Sequence, residues 1–217
     1  MSNRSIVFLK VLVHIACLAP VAWLVWNFWR ASTSTPDALG ADPIAFVTFF
    51  TGKGTLRLLV LSLAITPIRR VIPKLSWLIR FRRMLGLYAF FYACLHLTTY
   101  VWLYSSFSWS AIVNDISRRR FITAGVTAWL LLVPLALTST TWSIRKLGGK
   151  RWQALHRLVY LAATAGVVHY WWGVKSGVRT PLTITMVLAI LLLARPVLNY
   201  VSRRSRPKTA APQPAQL

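Results

Sequence analysis

Four histidines, His14, His96, His156 and His169, are the residues of this 217-residue chain with the most to offer chemically. Each falls in or beside an apolar run long enough to cross a membrane. An ionisable group in such a run is costly and marks a functional site by default. Neutral imidazoles facing each other from two helices can ligate a haem iron from both sides. A lone buried histidine more often closes a hydrogen bond in a core, and His14, alone in its run, is read that way. His96 and His169 differ, because their helices would run in the same direction. At 1.5 Å per residue they lie about 18 Å and about 22 Å from the inner ends of those helices, level with each other in the outer half of a bilayer. On the residues alone, ligation and a hydrogen-bonded core role stand level for this pair. His156 precedes His169 by 13 residues, about 20 Å along one helix and some 140° around it, so these two should serve different sites.

Other chemistries lack their residues. The chain has no Glu and only three Asp, Asp37, Asp42 and Asp115, all in expected loops, so no pair of carboxylates is available for acid–base work. No CxxCH sequence is present, which excludes a covalently attached c-type haem. Cys17 and Cys94 have neither metal nor disulfide spacing and are read as packing residues. Gly52-Lys53-Gly54 is not a phosphate loop, since position 47 is Val and no Ser or Thr follows the lysine. Thr138 to Thr141 (TSTT) reads as a helix terminus rather than a nucleophile.

The elements that must position the histidines follow from composition. Apolar residues make up 56 % and charged residues 13 %, about half the charged fraction of ordinary soluble proteins. This hydrophobicity excludes a disordered chain. The 26 Lys and Arg lie between long apolar runs rather than on a soluble basic face, which argues against nucleic acid as a partner and for a lipid bilayer. The expected fold is all-α, an integral membrane bundle of six transmembrane helices near 11–29, 55–72, 84–104, 121–140, 154–174 and 182–201, each about the 20 residues a span requires. The segment 43–54, interrupted by Lys53 and two glycines, is expected to be an interfacial stretch leading into the second span. With both termini in the cytoplasm, 17 basic residues fall inside and 8 outside, the asymmetry that sets orientation. Arg195, near the inner end of the sixth span, is expected to snorkel to the interface. Nine of the eleven Trp lie near span ends, as in an interfacial aromatic belt. Residues 1–201 thus form one domain and 202–217 a disordered cytoplasmic tail. No internal repeat is seen.

The stretches RRMLGLYAFFYACLHLTTY (82–100), LTSTTWSIRKLGGKRWQALHRLVYL (137–161) and HYWW (169–172) carry a resemblance that covers nearly the whole chain. With KVLVHIACLAPVAWLVW (10–26), LGADPIAFVTFFTGKGTLRLL (39–59) and ITPIRR (65–70), they resemble the ferric-reductase-like transmembrane cytochrome b family shared with NADPH oxidases. Within it, they are similar to the haem-binding membrane subunits of bacterial periplasmic protein-methionine-sulfoxide reductase systems. The resemblance implies that His96 and His169 are axial ligands of a haem b, and that His156 serves a second, inner haem. The position 14 residues before His96, a second histidine in the larger oxidases, is Arg82 here, so an inner haem lacks an obvious second ligand. The family is also associated with FMN. Arg82, Lys150 and Arg151 are the candidates for a haem propionate or an FMN phosphate; a positive-inside loop accounts for them more readily.

The resemblance further implies a bacterial inner-membrane, multi-pass electron conduit that has no substrate-reducing site of its own. Electrons would come from a quinol of the membrane pool, from bound flavin or from a separate flavin reductase, because only 16 residues follow the sixth span and no GxGxxG is present. They would pass to a periplasmic, molybdopterin-containing methionine-sulfoxide reductase that repairs oxidised proteins. A stand-alone ferric reductase or a cytochrome subunit of another oxidoreductase is an alternative of the same class. A small membrane transporter or assembly factor, with histidines relaying protons, is an alternative of another class.

Overall fold

The computed structural model describes residues 2–174 and 179–204, and among these every regular element is helical. Nine α-helices follow in order: α1 (Asn3–Thr33), α2 (Pro43–Val71), α3 (Ile79–Thr99), α4 (Trp109–Arg118), α5 (Arg120–Leu137), α6 (Thr141–Leu147), α7 (Gly149–Leu155), α8 (Leu158–Gly173) and α9 (Arg179–Arg204). A π-helical segment, Tyr100–Tyr104, prolongs α3. Five described helical stretches are long and apolar enough to cross a membrane. All six expected spans are helical for most of their length, but the fifth is carried by α8, which has only 16 residues and rises about 24 Å. The chain is a multi-pass membrane protein. Its expected tail lies almost wholly outside the described residues, which end at Arg204.

Two antiparallel pairs, α2 with α3 and α5 with α8, form the centre, and α9 closes against α2 and α8. The core between them is made of small and aliphatic residues, with Leu63 and Ala89 fully buried and Ala162 and Ala163 each 1 % exposed. Small side chains at such contacts let helix backbones approach where burial in lipid offers no hydrophobic gain.

Several expectations are corrected. Segment 43–54 is not a separate interfacial stretch but the opening of α2. The Asp42 carboxylate caps it by accepting from the Ala45 N–H at 2.9 Å, Pro43 stands at its first position, and the Lys53 ammonium lies 5.7 Å from the centre of the Phe49 ring. Asp115 is not in a loop. It sits in α4, bonded to Arg119 at 3.0 Å and to the Tyr100 hydroxyl at 2.9 Å. The expected 154–174 helix is broken, because α7 ends at Leu155 and α8 begins at Leu158, with His156 as the C-cap of α7. The angular offset of His156 and His169 on one ideal helix therefore does not apply. Residues 138–141 do form a terminus, with the Thr140 side chain capping α6.

Arg195 turns inward instead of snorkelling. Pro67 has no N–H, so it cannot bond the carbonyl of Leu63 four residues before it. The Arg195 guanidinium supplies the missing donor at 2.8 Å and also donates to the Tyr160 hydroxyl. One side chain of α9 thereby ties α2 to α8, and satisfies a carbonyl that lipid could not.

Candidate functional site: two facing histidines and an arginine chamber

His96 comes from α3 and His169 from α8, and their ring centres are 5.8 Å apart with planes 75° to each other. The expected level pair is thus brought together. Each ring is fixed by the helix behind it. His96 Nδ1 lies 3.0 Å from the Thr48 carbonyl of α2, with the Thr51 hydroxyl at 3.4 Å. His169 Nδ1 lies 2.6 Å from the Phe121 carbonyl of α5. A carbonyl only accepts, so Nδ1 carries the proton in both rings. Nε2 is left with its lone pair, the state in which imidazole ligates a metal.

Glycines make room for this. A Cβ on Gly52 would stand 3.1 Å from His96 Cε1, and one on Gly125 only 2.7 Å from His169 Nδ1. Both imidazoles lie against bare backbone. Gly54 does the same for Tyr92, whose ring would be 2.5 Å from an added Cβ. The two glycines that interrupt the apolar run of α2 are therefore close-approach sites, a role unseen in the sequence.

The two histidines line one cavity of about 450 Å³, within the roughly 300–1,000 Å³ of small-molecule and cofactor sites. Its walls are mostly apolar, with Leu56, Leu59, Ala93, Trp129 and Leu132 among them. Lys53 and Arg119 are the cations of its described lining, accompanied by Asp115 and Tyr100. Two imidazoles that bind one metal from opposite sides, each at about 2 Å, have ring centres about 6 Å apart. The donor set, the spacing and the apolar slot fit a bis-imidazole haem.

A second cavity of about 910 Å³ adjoins the first, and Leu59 and Leu132 line both. Six arginines line it, Arg69, Arg70, Arg82, Arg83, Arg157 and Arg195, with no carboxylate in the described lining. Buried Nε atoms of Arg69 and Arg195 have no hydrogen-bond partner among the described residues. Such a chamber suits an anion. His156 opens onto it, with Nε2 3.1 Å from the Thr138 hydroxyl and its ring stacked on Trp152 at 3.9 Å. Of the three expected anion contacts, Arg82 lines the chamber, whereas Lys150 and Arg151 are exposed on α7 and line neither cavity. Arg69, Arg70 and Arg195 were not anticipated; three arginines within a few residues of a span end read as topology alone. His14 lines neither cavity and bonds Tyr88 instead, with Nδ1 and the hydroxyl oxygen 2.6 Å apart. Cys94 accepts from the Trp129 indole at 3.5 Å, consistent with a packing role.

Residues 51–167 match the family model described as "Ferric reductase like transmembrane component". Among curated relatives, the "Protein-methionine-sulfoxide reductase heme-binding subunit MsrQ" of Xanthomonas campestris pv. campestris (strain 8004) is 48 % identical over 211 residues, covering 97 % of this chain and 96 % of the relative. The protein of that name from Xanthomonas oryzae pv. oryzae (strain MAFF 311018) is 45 % identical, covering 99 % and 97 %. Its namesake from Herminiimonas arsenicoxydans is 47 % identical, covering 89 % and 87 %. With a family match over more than half its length and relatives this similar across nearly all of it, the chain belongs to the ferric reductase like transmembrane family and, within it, groups with the MsrQ proteins.

Proposed function

We propose that this chain is the haem-binding membrane subunit of a protein-methionine-sulfoxide reductase system, a b-type cytochrome that passes electrons across the bacterial inner membrane to a periplasmic catalytic partner. The single observation that carries this reading is the pair His96 and His169, each held with Nδ1 on a carbonyl and both lining the shared cavity. Haem, when bound there, supplies one-electron chemistry tuned by axial ligands and burial. His96 and His169 would hold the iron of a haem in this cavity; the Thr48 and Phe121 carbonyls fix both rings; Lys53 and Arg119 would pair with its propionates, and the apolar walls would exclude water. The basic asymmetry of the loops supports an outer, periplasmic position for this cavity and cytoplasmic termini.

The arginine chamber then lies toward the cytoplasm. Its guanidiniums suit the propionates of a second haem on His156 or the phosphate of FMN, either of which would be an inner electron station. The donor is a membrane quinol, bound flavin or a separate flavin reductase. The acceptor is a molybdopterin-containing methionine-sulfoxide reductase that repairs oxidised periplasmic proteins.

Stopped-flow absorbance tests this. Chemically reduced protein should show a b-haem spectrum and be rapidly reoxidised by the periplasmic reductase in the presence of an oxidised-methionine substrate. Rapid reoxidation by free methionine sulfoxide without the partner, or no haem spectrum at all, would overturn the conduit reading.

A further inference from the structure

His14 and Tyr88 form a polar couple on the outside of the bundle. The histidine is exposed on α1 and the tyrosine half-buried on α3, their rings meeting edge to face at 5.5 Å. Around them stand the exposed apolar side chains of Ile15 and Leu18 on α1 and of Leu87 and Phe91 on α3. In a membrane-spanning helix, this exposed side faces hydrocarbon. Among the described residues, the couple makes this single bond, which leaves one ring nitrogen and part of the hydroxyl's capacity available. Groups in that state are costly in lipid and ask for a partner that arrives through the bilayer. The couple offers hydrogen bonds rather than a guanidinium fork, so it matches an oxygen on an apolar ring better than a phosphate head.

Its position is as telling as its chemistry. Tyr88 meets Phe91 edge-on at 6.3 Å, and Phe91 meets the buried Tyr92 at 5.8 Å. Tyr92 lies one helical turn before His96, and Tyr88 two turns before it, about 12 Å along α3. An aromatic series thus leads from the lipid face to the ligand-bearing part of α3. Tyr92 also donates to the Cys17 carbonyl at 2.9 Å, which fixes α1 and α3 where the couple sits.

We propose that His14 and Tyr88 are the head-group site for a membrane quinone or quinol, with His14 Nε2 and the Tyr88 hydroxyl bonding a ring oxygen and Leu87 and Phe91 flanking the ring. The inference rests on the conduit reading and names where its lipid-soluble donor docks.

The test uses the full chain in phospholipid nanodiscs with a photoactivatable short-chain benzoquinone. Label is expected on the peptides containing His14 and Tyr88, and competed by decyl-ubiquinone. His14→Ala and Tyr88→Phe should each lower it about fivefold to tenfold, the loss of one hydrogen bond. Tyr88→Phe keeps the ring, so it reports even if His14→Ala folds poorly. Unchanged labelling in both variants, label confined to other helices, or competition by phosphatidylglycerol instead of quinone overturns the site. A parallel readout separates this from the conduit reading: both variants should keep the dithionite-reduced haem spectrum yet be reduced about tenfold more slowly by decyl-ubiquinol. If the unaltered protein binds no haem, the conduit reading falls, and the labelling pattern alone decides the quinone site.

Discussion

His96 and His169 are held in the same way from two different helix pairs, each with Nδ1 on the carbonyl of the residue 48 positions before it, Thr48 and Phe121. The match goes further. Gly52 and Gly125, each four residues after that carbonyl, make room for the two rings. Ala89 and Ala162, each seven residues before its histidine, are 0 % and 1 % exposed. Leu59 and Leu132, seven residues after the glycines, together separate the two cavities. One offset of 73 residues relates every pair, so α2–α3 and α5–α8 present matching residues to the cavity between them.

The two glycines should not be equally sensitive. Gly125→Ala would place a methyl 2.7 Å from a ring pinned at 2.6 Å to Phe121, whereas Gly52→Ala meets His96 at 3.1 Å. Forcing a well-fitted group aside costs about 1–3 kcal/mol. Gly125→Ala should therefore lose most of its haem, while Gly52→Ala keeps most with an altered low-spin electron paramagnetic resonance signal. Haem per protein after purification checks the order; equal retention would show that the contact at Gly125 relaxes freely.

Removing either facing imidazole should abolish the six-coordinate low-spin haem of the first cavity. His96→Ala and His169→Ala are expected to lose it, and His156→Ala to keep it, since His156 opens onto the other chamber. Absorption spectra of the three variants decide this. If His156→Ala alone empties the first cavity, the pairing is wrong.

Lys53 and Arg119 should set the potential of that haem. A cation beside the propionates disfavours the additional positive charge of ferric iron. Lys53→Ala or Arg119→Gln should therefore lower the midpoint potential, by on the order of 40 mV for about 1 kcal/mol of screened interaction. Asp115→Asn should raise it. Spectroelectrochemical titration reads both directions, and shifts of the opposite sign would move the propionates elsewhere.

The Arg195 contact should matter more to stability than to haem in the first cavity. Arg195→Met leaves the Leu63 carbonyl, already deprived of its helical donor by Pro67, without a partner. An unpaired buried acceptor costs about 1–3 kcal/mol. Tyr160→Phe removes only the second contact and should cost less. Thermal unfolding in detergent should rank Arg195→Met below Tyr160→Phe, and both below the unaltered protein.

Much of the bundle was legible, because long apolar runs between basic loops leave few alternatives, and helical rise alone made His96 and His169 level. What escaped depends on contacts between distant segments. The 73-residue correspondence escaped notice because its identical pairs, such as Gly52 with Gly125, are few and scattered, and because Thr48 and Phe121 contribute only carbonyls, so their side chains need not agree. Gly52 and Gly54 resembled interruptions because the imidazole and phenol that fill their space come from another helix. The break at His156 has no proline or glycine to announce it. Arg195 resembled a charge escaping to water until the carbonyl freed by Pro67 gave it a partner.

The correspondence between the two hairpins has a consequence for assembly. Two identical hairpins could meet only by diffusing together, and their meeting would depend on protein density in the bilayer. Joined through residues 100–119, they meet at the high effective concentration of a tether. A single chain also lets the two hairpins differ. At one end the correspondence places histidine opposite histidine; at the other it places Arg83 in the position of His156, both facing the same chamber. A symmetric homodimer would have to be alike at both ends for its two copies. The single chain can be matched at one and unmatched at the other, which gives the bundle an intrinsic polarity along the path between its cavities.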